Sequence, residues 1–123
     1  MLRGTCSNHS AGLKAERDAC NFLIHNGFSI LKQRWRSGFG EIDVIASKGL
    51  ELVFFEIKSS KNYKRSFLLT ERQKRRCANA ALYFISLDNN QCYDSFRFDY
   101  IFVIDGTIEH IQNAFYIEDN NKS

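Results

Sequence analysis

The apolar positions change period several times along the chain, and each change marks an element. Residues 10–26 carry Ala19, Cys20, Phe22 and Leu23 on one stripe at helical spacing, and Gly27 stands where a helix needs a C-terminal cap. Strand-like runs follow at about 28–36, 41–46 and 50–58, the last two joined as a hairpin about Ser47-Lys48-Gly49. Val53, Phe54, Phe55 and Ile57 make the third run nearly continuously apolar, as a central strand covered on both faces requires. A polar stretch (59–69) leads to Thr70-Glu71-Arg72-Gln73, which has the form of a capping box. The helix it opens buries Cys77, Ala80, Ala81 and Phe84, turns Arg72, Arg75, Arg76 and Asn79 outward, and is broken by Asp88-Asn89-Asn90. Two more strands, 96–104 and 107–111, meet at an Asp105-Gly106 turn. The order α-β-β-β-α-β-β predicts an α/β fold, a sandwich with a central mixed sheet flanked by helices.

Composition narrows this picture. A chain of 123 residues is one domain, with its core expected over about 10–117 and flexible termini. The hydrophobic fraction of 44% and eleven Phe residues argue for a folded globule. No apolar run approaches the roughly 18 residues of a membrane span, and residues 1–10 have no signal-peptide core. Cys6, Cys20, Cys77 and Cys92 form no CxxC pair, and the three histidines are scattered, so zinc has no support. Free thiols and no secretory signal point to the cytoplasm.

The net charge of +3 conceals an asymmetry. Residues 58–76 hold eight basic residues (Lys58, Lys61, Lys64, Arg65, Arg72, Lys74, Arg75 and Arg76) against Glu71, whereas residues 77–123 hold two against seven acids. A polyanion partner would select such a basic stretch, and a solvated loop and helix face explains it equally well.

The candidate chemistry sits in Gly40-Glu41-Ile42-Asp43 and Phe55-Glu56-Ile57-Lys58. Glu56 and Lys58 share a strand face, and a hairpin turning near Lys48 sets Asp43 almost opposite Glu56. Two carboxylates brought together at the end of an apolar strand pair repel, and a hard cation such as Mg²⁺ relieves them. The alternative is a plain salt bridge from Asp43 or Glu56 to Lys58. Two features favour the metal site: the apolar run 52–55 before Glu56, and Glu16, an acid on the first helix's apolar stripe with Gly12 leaving room beside it.

These residues also carry a resemblance. Ala15-Glu16, Trp35-Arg36, Gly40-Glu41-Ile42-Asp43, Val53-Phe54-Phe55-Glu56-Ile57-Lys58, Gln73-Lys74, Arg97-Phe98-Asp99 and the run from Ile108 to Phe115 resemble, in order, the YraN-like family of small bacterial proteins. That family looks like a member of the PD-(D/E)xK nuclease superfamily, related in fold to restriction endonucleases and archaeal Holliday-junction resolvases. The resemblance implies a catalytic set of Glu16, Asp43, Glu56 and Lys58, with Gln73 in support. The metal, Mg²⁺ or Mn²⁺, would be held by Asp43, Glu56, the Ile57 carbonyl and, as a further candidate, Glu16. Arg34, where the family often has Asn, and Ser60, where it has a basic residue, are departures that bear on how nucleic acid is held. Arg34, Arg36, Lys61, Lys64, Arg65, Arg72, Gln73, Lys74, Arg75 and Arg76 are the expected contacts to nucleic acid, DNA above all.

Three functions follow: a metal-dependent endonuclease, favoured; a non-catalytic nucleic-acid-binding module of the same fold; and a protein-interaction subunit. Branched or flapped DNA is the expected substrate, and a homodimer would supply a second site. Phe96, Phe98, Tyr100 and Phe102 alternate on one strand face, for packing under a helix or for such an interface, and packing is the favoured explanation.

Overall fold

The computed structural model describes residues 7–59, 69–87 and 92–115, with side chains from residue 12 onward. The elements follow in the expected order: α1 (Ser7–His25), β1 (Ser29–Arg36), β2 (Glu41–Lys48), β3 (Glu51–Ser59), α2 (Glu71–Ser86), β4 (Ser95–Ile104) and β5 (Thr107–Phe115). The five strands form one sheet in the order β1-β2-β3-β4-β5; β3 and β4 run parallel and the other pairs antiparallel. This is a mixed-sheet α/β fold, consistent with a restriction-endonuclease-like core.

The continuous apolar run of β3 is explained by its position. Leu52 and Phe54 pack with Ala80, Ala81 and Phe84 of α2, while Val53 and Phe55 pack with Ala15, Ala19, Cys20 and Leu23 of α1. A strand with a helix on each face has no polar side to show, so alternation disappears.

The turn chemistry is local and matches the residues present. Gly27, at φ +92, ends α1: its N–H bonds the Ile24 carbonyl and the Phe28 N–H bonds that of Leu23, which forms a Schellman cap. Asp105 and Gly106 both have positive φ, as a type I′ hairpin turn demands. The β2–β3 turn falls one step later than expected: Lys48 pairs with Glu51, so Gly49-Leu50 turn the chain, with Gly49 at φ +61.

Two element bounds differ by about three residues or more. α1 starts near residue 7 instead of 10, and β5 continues past residue 111 to Phe115, where a register shift between Phe98 and Tyr100 keeps it paired with β4. Phe98, Tyr100 and Phe102 are buried on the α2 side. That row of rings is core, and only Phe96 is exposed. It is therefore not available as a dimer surface. Among the described residues, no helix is long and apolar enough to cross a membrane.

Candidate active site

The site lies where β2 and β3 part. Their ladder runs from Lys48↔Glu51 to Val44↔Phe55 and stops; the next step would set Asp43 against Glu56. β1 is irregular at the same level. Arg34, which falls opposite Asp43 in the register given by Gln33↔Val44 and Trp35↔Ile42, has φ +53. A left-handed residue that is not glycine costs roughly 1–2 kcal/mol and interrupts strand alternation. Alternation is broken in β2 as well: Ile42 and Ile45 both pack on the α2 side while Val44 faces α1. Asp43 turns into the gap, where its Oδ2 accepts the Ile57 N–H at 2.8 Å.

Glu56 and Lys58 continue the face of Leu52 and Phe54, and Lys58 Nζ lies 3.2 Å from Glu56 Oε2. This ion pair is the feature the salt-bridge reading expected, formed along one strand. The acids carry marks of crowding. Burial first, then the charge of Glu56, pushes the Asp43 carboxyl up to about 7; Glu16 adds to this, and the Ile57 N–H and Lys58 oppose it. Burial also raises Glu56, against the pull of Lys58. The Cys77 thiol is pushed up to about 12, by burial and then by Glu56 and Asp43. A thiol so raised is not a nucleophile at neutral pH.

Gly40, Glu41, Glu56, Lys58, Leu69, Gln73, Arg76 and Cys77 line an open cleft of about 170 Å³. Pockets that enclose small-molecule ligands run to roughly 300–1,000 Å³. A phosphodiester group with its waters is a better match in size. Asp43 is not part of this wall, its carboxylate being turned to Ile57.

The other expected site residues divide. Glu16 forms an ion pair with Arg34 at 3.6 Å, so each is engaged by the other. Among the described residues, no three His, Cys, Asp or Glu side chains are grouped closely enough to hold a metal ion, so Glu16 does not make a three-acid cluster with Asp43 and Glu56. Arg36 pairs with Glu41 at 3.6 Å. Arg72, Arg75 and Arg76 are exposed, and Arg76 reaches the cleft. Lys74 is bonded to Glu71 and lies over the Phe115 ring. Gln73 completes the capping box: its Oε1 accepts the Thr70 N–H at 2.8 Å, which leaves Nε2 as its donor toward the cleft. Lys61, Lys64 and Arg65 lie outside the described residues.

Sequence reasoning missed a second charged cluster, on the α1 face of the sheet across β3, β4 and β5. Asp99 is fully buried and receives Arg97 Nε, the Asn113 N–H at 2.9 Å and His110 Nε2 at 2.7 Å; Arg97 also pairs with Glu51. Burial works to raise the Asp99 carboxyl, but the hydrogen bonds from His110, Arg97 and Asn113 outweigh it and hold it below the ordinary value. The available signal was an acid at the head of the inward series Asp99, Ile101, Val103.

Comparison with known proteins adds the kinship. Residues 15–103 match the profile of Uncharacterised protein family UPF0102. The chain is 38% identical over 116 residues to a UPF0102 protein of Ruegeria pomeroyi, covering 92% of this chain and 93% of that one. It is 36% identical to one from Thermodesulfovibrio yellowstonii (85% and 95% covered) and 36% identical to one from Helicobacter pylori (91% and 97%). With matches this broad, the chain belongs to the UPF0102 family.

Proposed function

We propose that this chain is a Mg²⁺- or Mn²⁺-dependent endonuclease of the PD-(D/E)xK superfamily, hydrolysing phosphodiester bonds of DNA in the cytoplasm. The observation that carries the reading is the pair of crowded, half-buried carboxylates, Asp43 and Glu56, of which Glu56 lines a cleft of phosphodiester size together with Lys58. A fold has little reason to keep two acids in mutual repulsion unless a cation joins them.

The donor set fits such a cation. Mg²⁺ takes oxygen ligands from one or two carboxylates and completes its shell with phosphate and water, so a two-acid site suffices. The N–H and C=O of a strand residue point toward the same neighbour, so the Ile57 carbonyl faces the gap that Asp43 enters. Asp43, Glu56 and the Ile57 carbonyl would hold the ion, and Glu16 would join only by leaving Arg34. When bound, the ion lowers the pKa of a coordinated water and neutralises charge on the phosphate. Lys58, Arg76 and the Gln73 amide donate to phosphate oxygens and orient the diester. Among the described residues the thiols of Cys20, Cys77 and Cys92 are free, which suits a reducing compartment.

One site cuts one strand, so double-strand cleavage would come from a two-fold dimer. Branched or flapped DNA is the preferred substrate, because a distortable junction costs less to fit than a straight duplex. The test is a panel of duplex, flapped, single-stranded and four-way-junction DNA with Mg²⁺ or Mn²⁺. Wild-type protein should cleave flaps or junctions in preference to duplex. Asp43→Asn should abolish both cleavage and metal binding in calorimetry, while Lys58→Met should keep metal and most nucleic-acid binding yet lose cleavage. Metal affinity unchanged in Asp43→Asn would refute the site, and nucleic-acid binding without cleavage under every condition would leave the non-catalytic module.

A further inference from the structure

The connection between β1 and β2 is a tight turn. The N–H and hydroxyl of Ser37 both bond the Gly40 carbonyl, and the Phe39 N–H donates to Ser37 Oγ at 3.1 Å. This rigid turn leaves Phe39 48% exposed. Its ring centroid lies 5.6 Å from that of Tyr83 on α2, itself 43% exposed, and Tyr83 lies 6.0 Å from Trp35. Exposed rings set in a row by a braced turn need an explanation, since single exposed apolar residues are ordinary but a contiguous patch is not.

The surroundings say what kind of partner fits. Arg72, Arg76, Asn79 and Tyr83 recur at spacings of four, three and four, so they form one stripe along α2, and all are exposed. Arg76 also lines the cleft, and its guanidinium lies 3.8 Å from where a Cβ on Gly40 would stand, one residue from Phe39. The rings, the guanidinium groups and the cleft are therefore continuous.

We infer that Phe39 and Tyr83 form a stacking platform for unpaired bases of a nucleic-acid strand whose phosphates follow Arg72 and Arg76 toward the cleft. Every base has a π-face, and proteins that hold single strands combine a positive track with aromatic side chains. A duplex keeps those faces stacked inside, so the platform selects single strands, flaps and junction openings. Rings and arginines also occur at protein interfaces; what favours a nucleic-acid strand here is the continuity of the patch with the cleft through Arg76. The direction of the strand toward chemistry rests on the nuclease reading above; the stacking does not.

The experiment measures labelled oligothymidine and a duplex of equal length in EDTA, where nothing is cut. Wild-type protein should bind the single strand more tightly and show quenching of Trp35, its one tryptophan. Phe39→Leu with Tyr83→Leu keeps apolar bulk but removes the π-faces. It should lose single-strand affinity by about ten-fold, one stacked base or slightly more, with duplex affinity unchanged. Arg72→Gln with Arg76→Gln should weaken both and flatten the salt dependence. Should the double Leu variant misfold, Phe39→Leu alone, in the exposed turn, must still give a selective loss. Single-strand affinity unchanged in the Leu variants overturns the platform, as does a dimer that they dissociate without any change in binding. Cleavage assays on the same variants keep the two readings apart. Selective binding without cleavage sinks the nuclease alone, and cleavage with unselective binding sinks the platform alone.

Discussion

A carboxyl that keeps its proton up to about pH 7 in the folded chain, but loses it near pH 4 when unfolded, binds a proton in the native state throughout that interval. For Asp43 the groups responsible are its own burial, then Glu56 and Glu16, with the Ile57 N–H and Lys58 opposing. The stability this proton brings is fully present below the unfolded value and is lost as pH rises through the folded one. Metal-free protein should therefore melt at a lower temperature at about pH 8 than at about pH 5. Asp43→Asn keeps an acceptor for Ile57 and removes the charge, so its melting temperature should depend less on pH and exceed wild type at the upper end. Glu56, also raised, leaves a slope of the same sign. A steeper fall in the variant, followed by calorimetry, would contradict this account. The convergence of Asp43 with Glu56 was legible because a short hairpin fixes register. The left-handed turn at Arg34 was not, since no glycine or asparagine stands there to mark it.

Among the elements, α2 depends most on a local signal. Thr70 Oγ1 accepts the Gln73 N–H and Gln73 Oε1 accepts the Thr70 N–H, so four consecutive residues carry the whole instruction to start the helix. Capping motifs are readable from sequence for that reason. Thr70→Ala should cost about 1 kcal/mol, measured by urea denaturation, and should also weaken nucleic-acid binding, because Gln73 and Arg76 both line the cleft. A loss of stability with binding untouched would separate the cap from the site. The tie that holds the entry to this helix could not be read: the Leu69 N–H donates to the hydroxyl of Tyr100, a partner on a distant strand. Lys74 illustrates the same limit. Its charge is part of the basic stretch, yet its pairing with Glu71 and the Phe115 ring turns it away from the Arg72–Arg76 stripe.

Across the whole molecule, charge is held about the central strand in opposite senses. Asp99, Arg97, His110 and Glu51 satisfy one another on the α1 face of the sheet, whereas Asp43 and Glu56 repel where β2 and β3 part. Asp99→Asn should cost about 3–5 kcal/mol, since it strips a buried network of its centre while leaving Arg97 in place. The Asp99 carboxyl is lowered, so its contribution is fully present above the unfolded value near pH 4 and is lost as pH falls through the folded one. Acid titration of the melting temperature checks this, and a variant as stable as wild type at neutral pH would show the network to be dispensable. Together the two groups confine maximal stability of the metal-free chain to mildly acidic solution. Arg97 and Asp99 stood in plain view in the sequence, but Glu51 is 46 residues from Arg97 and only the parallel pairing of β3 with β4 joins them. A pattern read along one chain has no means of seeing that.

One backbone proton inherits the behaviour of the site. The Ile57 amide is bonded to the carboxylate of Asp43, a side chain of the neighbouring strand. Deuterium should replace the amide protons of Val53 and Phe54 only when the sheet itself opens, whereas at Ile57 it needs only a rotation of one side chain. In Asp43→Ala that single position should exchange quickly while the rest of β3 stays slow. In the wild type, its exchange rate would serve as a clock for how firmly the two strands are latched where they separate.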